Sequence, residues 1–576
     1  MPKKANRHTD AGGTNIDYRI IDSDRYRYLR AVDPTSSENA TGIPLDTSSS
    51  DHMYLYNDDA HVLVTGNTGS GKSRRFNVPY LVANSRSDSN LIVHDPKGEL
   101  YKIVSGLLKQ NGFTVWALNT RCPLQSDCWS LFEYCHDLYN SGDAMKICRA
   151  REIMHSIAEI IIPVLSKDPF WELASRAVIE GVAERLIRLR DDPSEISFSA
   201  ILEEIEALTE SAQSRYEFNS EDCGEGQDHL KIAPTVNASD VTQRSIIGTV
   251  GNYLMQYVSS PLIEHIFSNK GISFERLLEG KVAIFLITPD ENATYNPLIS
   301  IFVKMVYEYL SQSAYELGGA LPHKTYFVLD EFGMMTRIPS MSHMMSAARS
   351  RGMFFLLSVQ ALDQLKSTYG DDAETIKSNC SIWIFFRSRS ISTLSEISAL
   401  CGEDGLGIRH FSIEDLQYLN NRRGDVLILR PDVRPYIGCL RDFTVLPYFN
   451  DLPEEHHVAT IDPSTIMRPK KEKTERGDLK HFSIMSEFSS VLSTMGHGSG
   501  VSAEMEGSCE HLMDLIQISN AVELYTIITT IVDGKSPKAV FKEVRRTYDE
   551  TNIDYTRFRQ IYEEIRSSFK FLKSDF

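Results

Sequence analysis

HVLVTGNTGSGKS, residues 61–73, is the stretch around which the rest of the sequence can be organised. It begins with apolar, β-rich residues and continues into the pattern G-x-x-x-x-G-K-[ST] of a phosphate-binding loop. The glycines let successive backbone N–H groups curve around an anion, and a helix that begins there adds its positive dipole. The sequence therefore predicts a strand, a nucleotide-binding loop and a helix in succession. The loop consists of Gly66, Asn67, Thr68, Gly69, Ser70, Gly71, Lys72 and Ser73.

Lys72 and Ser73 carry the chemistry of this loop. A lysine at this position reaches the β- and γ-phosphates of a nucleotide, and the hydroxyl that follows it is a ligand for Mg²⁺. We therefore expect ATP and Mg²⁺ to bind here. An ordinary glycine-rich turn is the alternative, but the preceding strand and the following helix favour the phosphate-binding loop.

The second half of the nucleotide site is predicted at the ends of two further strands. TYFVLDEF, residues 325–332, places Asp330 to hold Mg²⁺ through water and Glu331 to orient and deprotonate the attacking water. MFFLLSVQ, residues 353–360, ends in Gln360, which can contact the γ-phosphate or that water. Such polar residues also occur at ordinary solvated strand ends. Their combination with the loop favours the catalytic interpretation.

Arg349 and Arg351 lie between these two strands, just before Gly352. In an oligomeric ATPase, an arginine at this place can reach the γ-phosphate bound by a neighbouring subunit. It can equally pair with a carboxylate or contact a DNA phosphate. Because residues two apart do not share a helix face, we expect at most one of them to serve the nucleotide.

The fold class follows from eight apolar segments spread along the chain. They are nearly continuous in apolar residues, as in strands buried on both faces, and helical patterns separate several of them. This predicts an α/β fold with a mostly parallel central sheet. The segments are 61–66, 90–95, 113–119, 281–288, 324–331, 353–360, 380–386 and 424–430.

The same patterns predict the domain organisation. The region between the third and fourth strands contains helical patterns with few strand signals, which indicates an inserted all-α domain. A charged stretch followed by Ser and Gly indicates a linker near the carboxyl end, with amphipathic helices after it. The predicted regions are a flexible arm (1–50) with one short strand near 26–29, a nucleotide-binding domain (51–134 and 271–467), the all-α insertion (135–270), the linker (468–502) and a C-terminal helical domain (503–576).

Composition narrows the class of protein. The 576 residues are 42% hydrophobic and 24% charged, which is ordinary for a globular protein and excludes widespread disorder. The 60 Lys and Arg against 78 Asp and Glu give a net charge of −18, so a wholly basic nucleic-acid coat protein is excluded, although a local basic channel is not. Without a signal-peptide pattern or an apolar run of about 20 residues, we expect a soluble, cytoplasmic protein.

Several motifs together resemble the type IV secretion coupling proteins, the TraG/TraD class of conjugative DNA-transfer ATPases. The most specific are HDPKGELY (94–101) and SVQALDQLKSTYG (358–370). LDEFG (329–333), followed by RIPSM and Arg-Ser-Arg-Gly, is similar to the acidic-strand region of the family. KDPFW (167–171) is similar to the start of its inserted helical domain. The resemblance covers about residues 55–450.

The resemblance implies a RecA-like motor domain with an inserted all-α domain, assembled as a homo-hexamer. It implies that ATP drives or licenses the export of DNA, recruited with a relaxase or relaxosome, through a type IV secretion channel. By motif, Gly66–Ser73 would bind the nucleotide, and Asp330 and Glu331 would be its acidic pair. Asp95, Lys97 and Glu99 would shape the site or a subunit interface, although a charged strand-end turn is the alternative.

The sequence departs from the family in lacking N-terminal transmembrane helices. Either a membrane protein of the secretion channel recruits the chain to the inner face of the membrane, or the chain belongs to a soluble branch. In either case, the expected homo-hexamer could be a monomer in the absence of DNA. Local basic elements at 72–75, 349–351 and 421–423 could contact DNA phosphates, but such elements are more often part of a solvated surface or of the nucleotide site. No helix-turn-helix is evident, so we expect DNA contact independent of sequence.

Two alternatives remain open at this point. A DNA translocase of the FtsK/HerA kind shares the core, but the DPKGE segment and the helical insertion argue against it. A recruitment adaptor that uses nucleotide only as a switch is the second alternative. The presence of Lys72, Ser73, Asp330 and Glu331 argues against inert nucleotide binding.

Overall fold

The computed structural model describes residues 26–33, 41–57, 59–209, 228–431, 433–449, 452–453, 461, 508–509, 511–513, 515, 521–532, 535–547 and 555–568. The chain divides into two compact units, Met1–Ile466 and Met467–Phe576. The predicted linker, 468–502, lies outside the described residues. The remaining domain boundaries stay predictions.

A small antiparallel sheet precedes the phosphate-binding loop. Its three strands, in the order β1-β3-β2, are β1 (Leu29–Val32), β2 (Ile43–Asp46) and β3 (Met53–Tyr56). Two strands, β1 and the fully buried β2, lie within 1–50, where the sequence predicted an arm with one short strand near 26–29. The strands are held by partners distant in sequence. For example, the N–H of Thr47, just after β2, donates to the carbonyl of Cys439 at 2.8 Å.

The main sheet has nine strands in the order β12-β11-β10-β4-β9-β8-β5-β7-β6. The strands from β10 to β6 along this order are parallel, whereas β11 pairs antiparallel with both β10 and β12. The eight strands predicted from the sequence are all present, and β12 is additional. They are β4 (Val62–Thr65), β5 (Asn90–His94), β6 (Thr114–Asn119), β7 (Val282–Ile287), β8 (Thr325–Leu329), β9 (Met353–Val359), β10 (Ile382–Phe385), β11 (Asp425–Leu429) and β12 (Tyr436–Cys439).

Helices cover both faces of this sheet. The phosphate-binding loop leads into a π-helical turn, Lys72–Asn77, which continues as α1 (Val78–Asn84). On the same face lies α2 (Glu99–Gln110), and its buried residues share a hydrophobic core with α1 and the small sheet. This face holds the loop helix against the strands that carry the site.

The described residues between β6 and β7 form helices and contain no strand. These helices are α3 (Glu133–Asn140), α4 (Ala144–Ile161), α5 (Phe170–Leu189), α6 (Phe198–Thr209), α7 (Asp228–Val236), α8 (Asp240–Val258) and α9 (Pro261–Ser268). Their buried side chains join one continuous core with the second face of the sheet. The described helices of the insertion therefore pack directly against the sheet and do not form a separate hydrophobic core.

The later helices complete the first unit on that second face. They are α10 (Asn296–Glu316), α11 (Met341–Ala348), α12 (Leu362–Tyr369), α13 (Asp372–Asn379), α14 (Ile391–Leu400) and α15 (Ile413–Gln417). The methionines of α11, at 341, 344 and 345, are buried in the core, where their flexible side chains fill space between helices.

The second unit contains α16 (Ala521–Val532), α17 (Pro537–Thr547) and α18 (Tyr555–Ser568). These three helices contact one another and enclose a hydrophobic core of their own. The apolar positions repeat at helical spacing along each helix, which is why one face of each is buried.

Candidate nucleotide-binding site

The residues predicted to bind nucleotide meet at one edge of the main sheet. Parallel strands bring their carboxyl ends to the same edge, so the loop after β4, the acids after β8 and Gln360 after β9 become neighbours. Between them lies a cavity of about 220 Å³. Its lining includes Thr68, Ser73, Asp95, Asp330, Glu331 and Gln360.

The loop is fixed to the sheet and shaped by its glycines. The N–H of Gly66 donates to the Val359 carbonyl at 3.1 Å, and that of Asn67 donates to the Arg387 carbonyl at 3.0 Å. A Cβ on Gly66 would lie only 2.7 Å from the Phe386 side chain. Gly69 and Gly71 have φ angles of 74° and 98°, a region that favours glycine. The backbone thus forms the curve that a phosphate group requires.

Lys72 points back across the loop. Its side chain is almost fully buried, and its Nζ donates to the Gly66 carbonyl at 2.6 Å. The same nitrogen lies 3.8 Å from Oε1 of Glu331. The ammonium group of Lys72 is buried beside the glycine-rich loop, where the negative charge of bound phosphates would compensate its positive charge.

Ser73 and Asp330 form the predicted pair for Mg²⁺. The Ser73 hydroxyl donates to Oδ2 of Asp330 at 2.6 Å. Burial raises the pKa of Asp330, against the opposing effects of the Ser73 hydrogen bond and the Lys72 charge. A hydroxyl and a carboxylate are hard oxygen donors, and Mg²⁺ is commonly held by one or two such groups together with phosphates and water. The donor set therefore fits Mg²⁺.

Glu331 and Gln360 face each other across the cavity. Gln360 Nε2 donates to Oε2 of Glu331 at 3.1 Å, and the N–H of Gln360 is itself held by Oε1 of Gln364 at 2.8 Å. Glu331 has a φ of 48°, a conformation that is uncommon for residues other than glycine. Strained backbone of this kind persists where the surroundings enforce it, and it is frequent at functional sites.

The end of β5 adds a buried pair next to the acids. Nδ1 of His94 hydrogen-bonds with the Asp330 carbonyl at 2.6 Å, and burial lowers the pKa of His94 to about 4. Oδ2 of Asp95 accepts the N–H of Tyr101 at 2.8 Å, and burial raises the pKa of Asp95 to about 7. Sequence reasoning noticed Asp95, Lys97 and Glu99, which all line the cavity, but it overlooked His94. The HDPKGE segment, which begins with His94, was the sequence signal that could have identified it.

Arg349 and Arg351 lie away from this cavity. They form a short 3₁₀ turn immediately before β9, at the amino edge of the sheet, whereas Gln360 follows the carboxyl end of that strand. Arg351 is half-buried and donates to the Tyr307 hydroxyl at 3.3 Å, while Arg349 is exposed. Neither arginine therefore reaches the nucleotide cavity of its own chain, and a role toward a neighbouring subunit stays a prediction.

Two contacts that tie the loop helix to the end of the first unit were not foreseen. Arg74 donates to both carboxylate oxygens of Asp442, at 2.8 and 3.0 Å, and its guanidinium lies 5.1 Å from the Phe443 ring centroid. Arg75 hydrogen-bonds with Asn421. These partners engage Arg74 and Arg75, which the sequence suggested as basic elements. No local pattern links residues more than 300 positions apart.

The loop, the acidic strand end and the mostly parallel sheet together define the class: a P-loop NTPase with a RecA-like fold. A sequence model of the family described as "Type IV secretory system Conjugative DNA transfer" matches residues 18–425. The chain therefore belongs to the type IV secretory system conjugative DNA transfer family, as its motifs suggested.

Individual relatives are distant. Coupling protein TraD of Escherichia coli (strain K12) is 22% identical over 325 residues, which are 54% of this chain and 39% of that protein. This chain thus spans about two fifths of that relative's length.

Two solved structures share the fold. A trigonal form of the bacterial conjugative coupling protein TrwBdeltaN70 in complex with sulphate has a TM-score of 0.53 and 15% identity, over 75% of this chain and 97% of that chain. The plasmid coupling protein TrwB in complex with the non-hydrolysable ATP analogue ADPNP has a TM-score of 0.52 and 16% identity, over 77% and 95%. These likenesses confirm the predicted RecA-like α/β fold.

In the part of the chain that the structure describes, no helix is both long and apolar enough to cross a membrane.

Proposed function

We propose that this chain is an ATP-hydrolysing coupling protein. It recruits a relaxase-bound DNA to a type IV secretion channel and uses ATP to drive or license the transfer of that DNA. Family membership supports the role in conjugative DNA transfer. The observation that carries the enzymatic part is that Glu331 and Gln360 share one cavity and Lys72 Nζ lies 3.8 Å from Glu331.

The chemistry follows from these positions. Lys72 and the loop N–H groups hold the phosphates of ATP, and Ser73 and Asp330 hold Mg²⁺. Bound Mg²⁺ would neutralise negative charge on the β- and γ-phosphates. Glu331 orients a water and accepts its proton while the water oxygen attacks the γ-phosphorus. The bond to the bridging oxygen breaks, and ADP and phosphate are released.

The partners are inferred from the family. Sequence-independent contact with DNA phosphates, a relaxase or relaxosome, and membrane proteins of the secretion channel are the expected set. The chain would act in the cytoplasm, at the inner face of the membrane when a channel partner recruits it. A homo-hexamer is the working assembly that the family resemblance implies, and in such a ring an arginine before β9 could reach the nucleotide of a neighbouring subunit.

The test is steady-state ATP turnover by the purified chain, with and without single- and double-stranded DNA, while the mass of the assembly is recorded. Lys72→Ala should weaken nucleotide binding and abolish turnover. Glu331→Gln should retain binding and lower turnover by about a hundredfold or more. Glu414→Gln, which changes an exposed glutamate on α15, is the matched control.

Other results would point to other functions. If ATP binds but no DNA elicits turnover or assembly, the recruitment switch without motor activity would replace this proposal. If turnover is DNA-stimulated but deletion of the gene in a donor leaves conjugative transfer unchanged, a translocase of the FtsK/HerA kind would replace it.

A further inference from the structure

The C-terminal helix unit, α16–α18, is used neither by the nucleotide site nor by the proposed hydrolysis. Apolar side chains of this unit pack against one another, and Leu524, Ile528, Val540, Phe558 and Ile565 are all buried in its own core. What it offers to a partner is therefore the outward face of its helices, which is polar and charged.

That outward face is cationic along α17. The segment 535–546 contains five Lys or Arg and one Glu, in a chain whose net charge is −18. Lys538, Lys542 and Arg545 lie at spacings of four and three residues, which places them on one side of the helix, and all three are exposed. Val540 and Val544 occupy the opposite, buried side.

The first turns of α18 continue this cationic surface. Phe541 of α17 packs against Tyr555 and Phe558, with ring centroids 4.9 and 5.2 Å away, so the start of α18 lies on the middle of α17. Arg557 and Arg559 are exposed there. Within the described part of this unit, neither of them forms an ion pair, and the same holds for Lys538 and Lys542.

The residues on either side of those arginines indicate what the surface would contact. Thr556 and Gln560 are exposed on the same turns of α18. Arginine, glutamine and threonine are the side chains that hydrogen-bond to base edges when the amino-terminal half of a helix enters the major groove. Lysines on an adjacent helix are suited to the flanking phosphates.

We propose that the C-terminal helix unit is a second DNA-binding site, which takes double-stranded DNA with the start of α18 in the major groove and α17 on the phosphate backbone. An anionic membrane surface is the weaker candidate, because an amphipathic helix that lies in a membrane inserts its apolar face, and here those faces are buried, which leaves only charge attraction. The inference goes beyond the proposed function: the contact lies outside the nucleotide core and requires no hydrolysis.

The test measures binding of the full-length chain, without nucleotide, to a labelled duplex across a series of KCl concentrations. Lys538→Gln/Lys542→Gln and Arg557→Gln/Arg559→Gln should each weaken binding at least tenfold at low salt. Lys538→Gln/Lys542→Gln, which removes two proposed phosphate contacts, should also reduce the slope of log affinity against log salt by about 1.8, since one phosphate contact contributes about 0.9. Lys102→Gln/Lys366→Gln, which removes two exposed lysines from α2 and α12, is the matched control and should bind as the wild type does.

Three results would overturn the proposal. The first is that both double variants bind the duplex with the affinity and salt slope of the control. The second is that they lose binding to the single strand only. The third is that they lose binding only to phosphatidylserine vesicles, which would identify a membrane surface. Because no nucleotide is present, these outcomes are independent of whether the chain hydrolyses ATP.

Discussion

At the scale of single residues, Gln360 is the group whose role can be tested most directly. It donates to one oxygen of Glu331 and so fixes the orientation of the proposed base. Gln360→Ala should lower ATP turnover about tenfold to hundredfold with little change in nucleotide affinity, because a positioned base contributes to the reaction more than to ground-state binding. Single-turnover hydrolysis and equilibrium binding of a nucleotide analogue would separate the two effects.

A matched glutamine lies far from the site. Gln312 donates to Glu316 at 2.9 Å on α10, so Gln312→Ala removes the same type of hydrogen bond at the surface. That variant should hydrolyse ATP at the wild-type rate. Equal turnover by wild type and Gln360→Ala would mean that Gln360 does not position Glu331.

Residues that lie in a local sequence pattern could be predicted as site residues from the sequence alone. The loop, Asp330 and Glu331 each lie at the end of an apolar run, and parallel pairing brings such ends together. The contact between Arg74 and Asp442 was not accessible, because 368 positions separate them and neither lies in a pattern that specifies the other. His94 was missed because a lone histidine at a strand end is ordinary, and its contact with Asp330 depends on pairing between β5 and β8.

At the scale of elements, His61 joins three of them. Its Nδ1 accepts the N–H of Phe355 on β9 and its Nε2 donates to the Met345 carbonyl of α11, both at 2.9 Å, while His61 itself precedes β4. His61→Leu would leave two buried backbone groups unpaired, at about 1–3 kcal/mol each. We expect the free energy of unfolding to fall by about 2–4 kcal/mol, as measured by urea denaturation.

The same histidine gives a pH dependence of known sign. Burial lowers the pKa of His61 to about 4, so between pH 4 and 6.5 the unfolded chain binds more protons than the folded chain. Its contribution to stability is present above pH 6.5 and is lost as the pH falls toward 4. His61→Leu should flatten this part of the stability profile, whereas His343→Leu, at an exposed position of α11, should not. Parallel profiles for wild type and His61→Leu would contradict the assignment.

The elements predicted best were those whose apolar composition by itself indicates that they are buried. Strands β4 to β11 lie in nearly continuous apolar segments because both faces of the main sheet are covered. Strands β1 and β2 have four residues each, lie among Ser, Thr and Asp, and depend on β3 for pairing. In the same way, the hydrophobic period of α17 predicts an amphipathic helix with one buried face. It carries no information about the partner that the exposed cationic face would bind.

At the scale of the whole molecule, the position of Arg349 means that it could serve a nucleotide only in a second subunit. Seven residues of β9 separate it from the nucleotide edge, about 23 Å of extended strand, so it cannot serve its own cavity. Arg349 is exposed, whereas Arg351 is engaged by Tyr307, so Arg349 is the stronger candidate for a trans contact. Arg349→Ala should lower turnover of the assembled protein by about a thousandfold, the scale of an arginine finger.

Mixing two inactive variants tests this directly. Arg349→Ala retains an intact cavity and Glu331→Gln retains an intact arginine, so a ring that contains both regains sites in which the arginine of one subunit completes the cavity of its neighbour. Equal mixing should restore about a quarter of wild-type turnover, since half of the cavities and half of the neighbouring arginines are intact in a head-to-tail ring. If the mixture stays as inactive as its components while its mass shows assembly, Arg349 does not act in trans. If Arg349→Ala alone hydrolyses ATP at the wild-type rate, the arginine serves another purpose, such as contact with DNA phosphate.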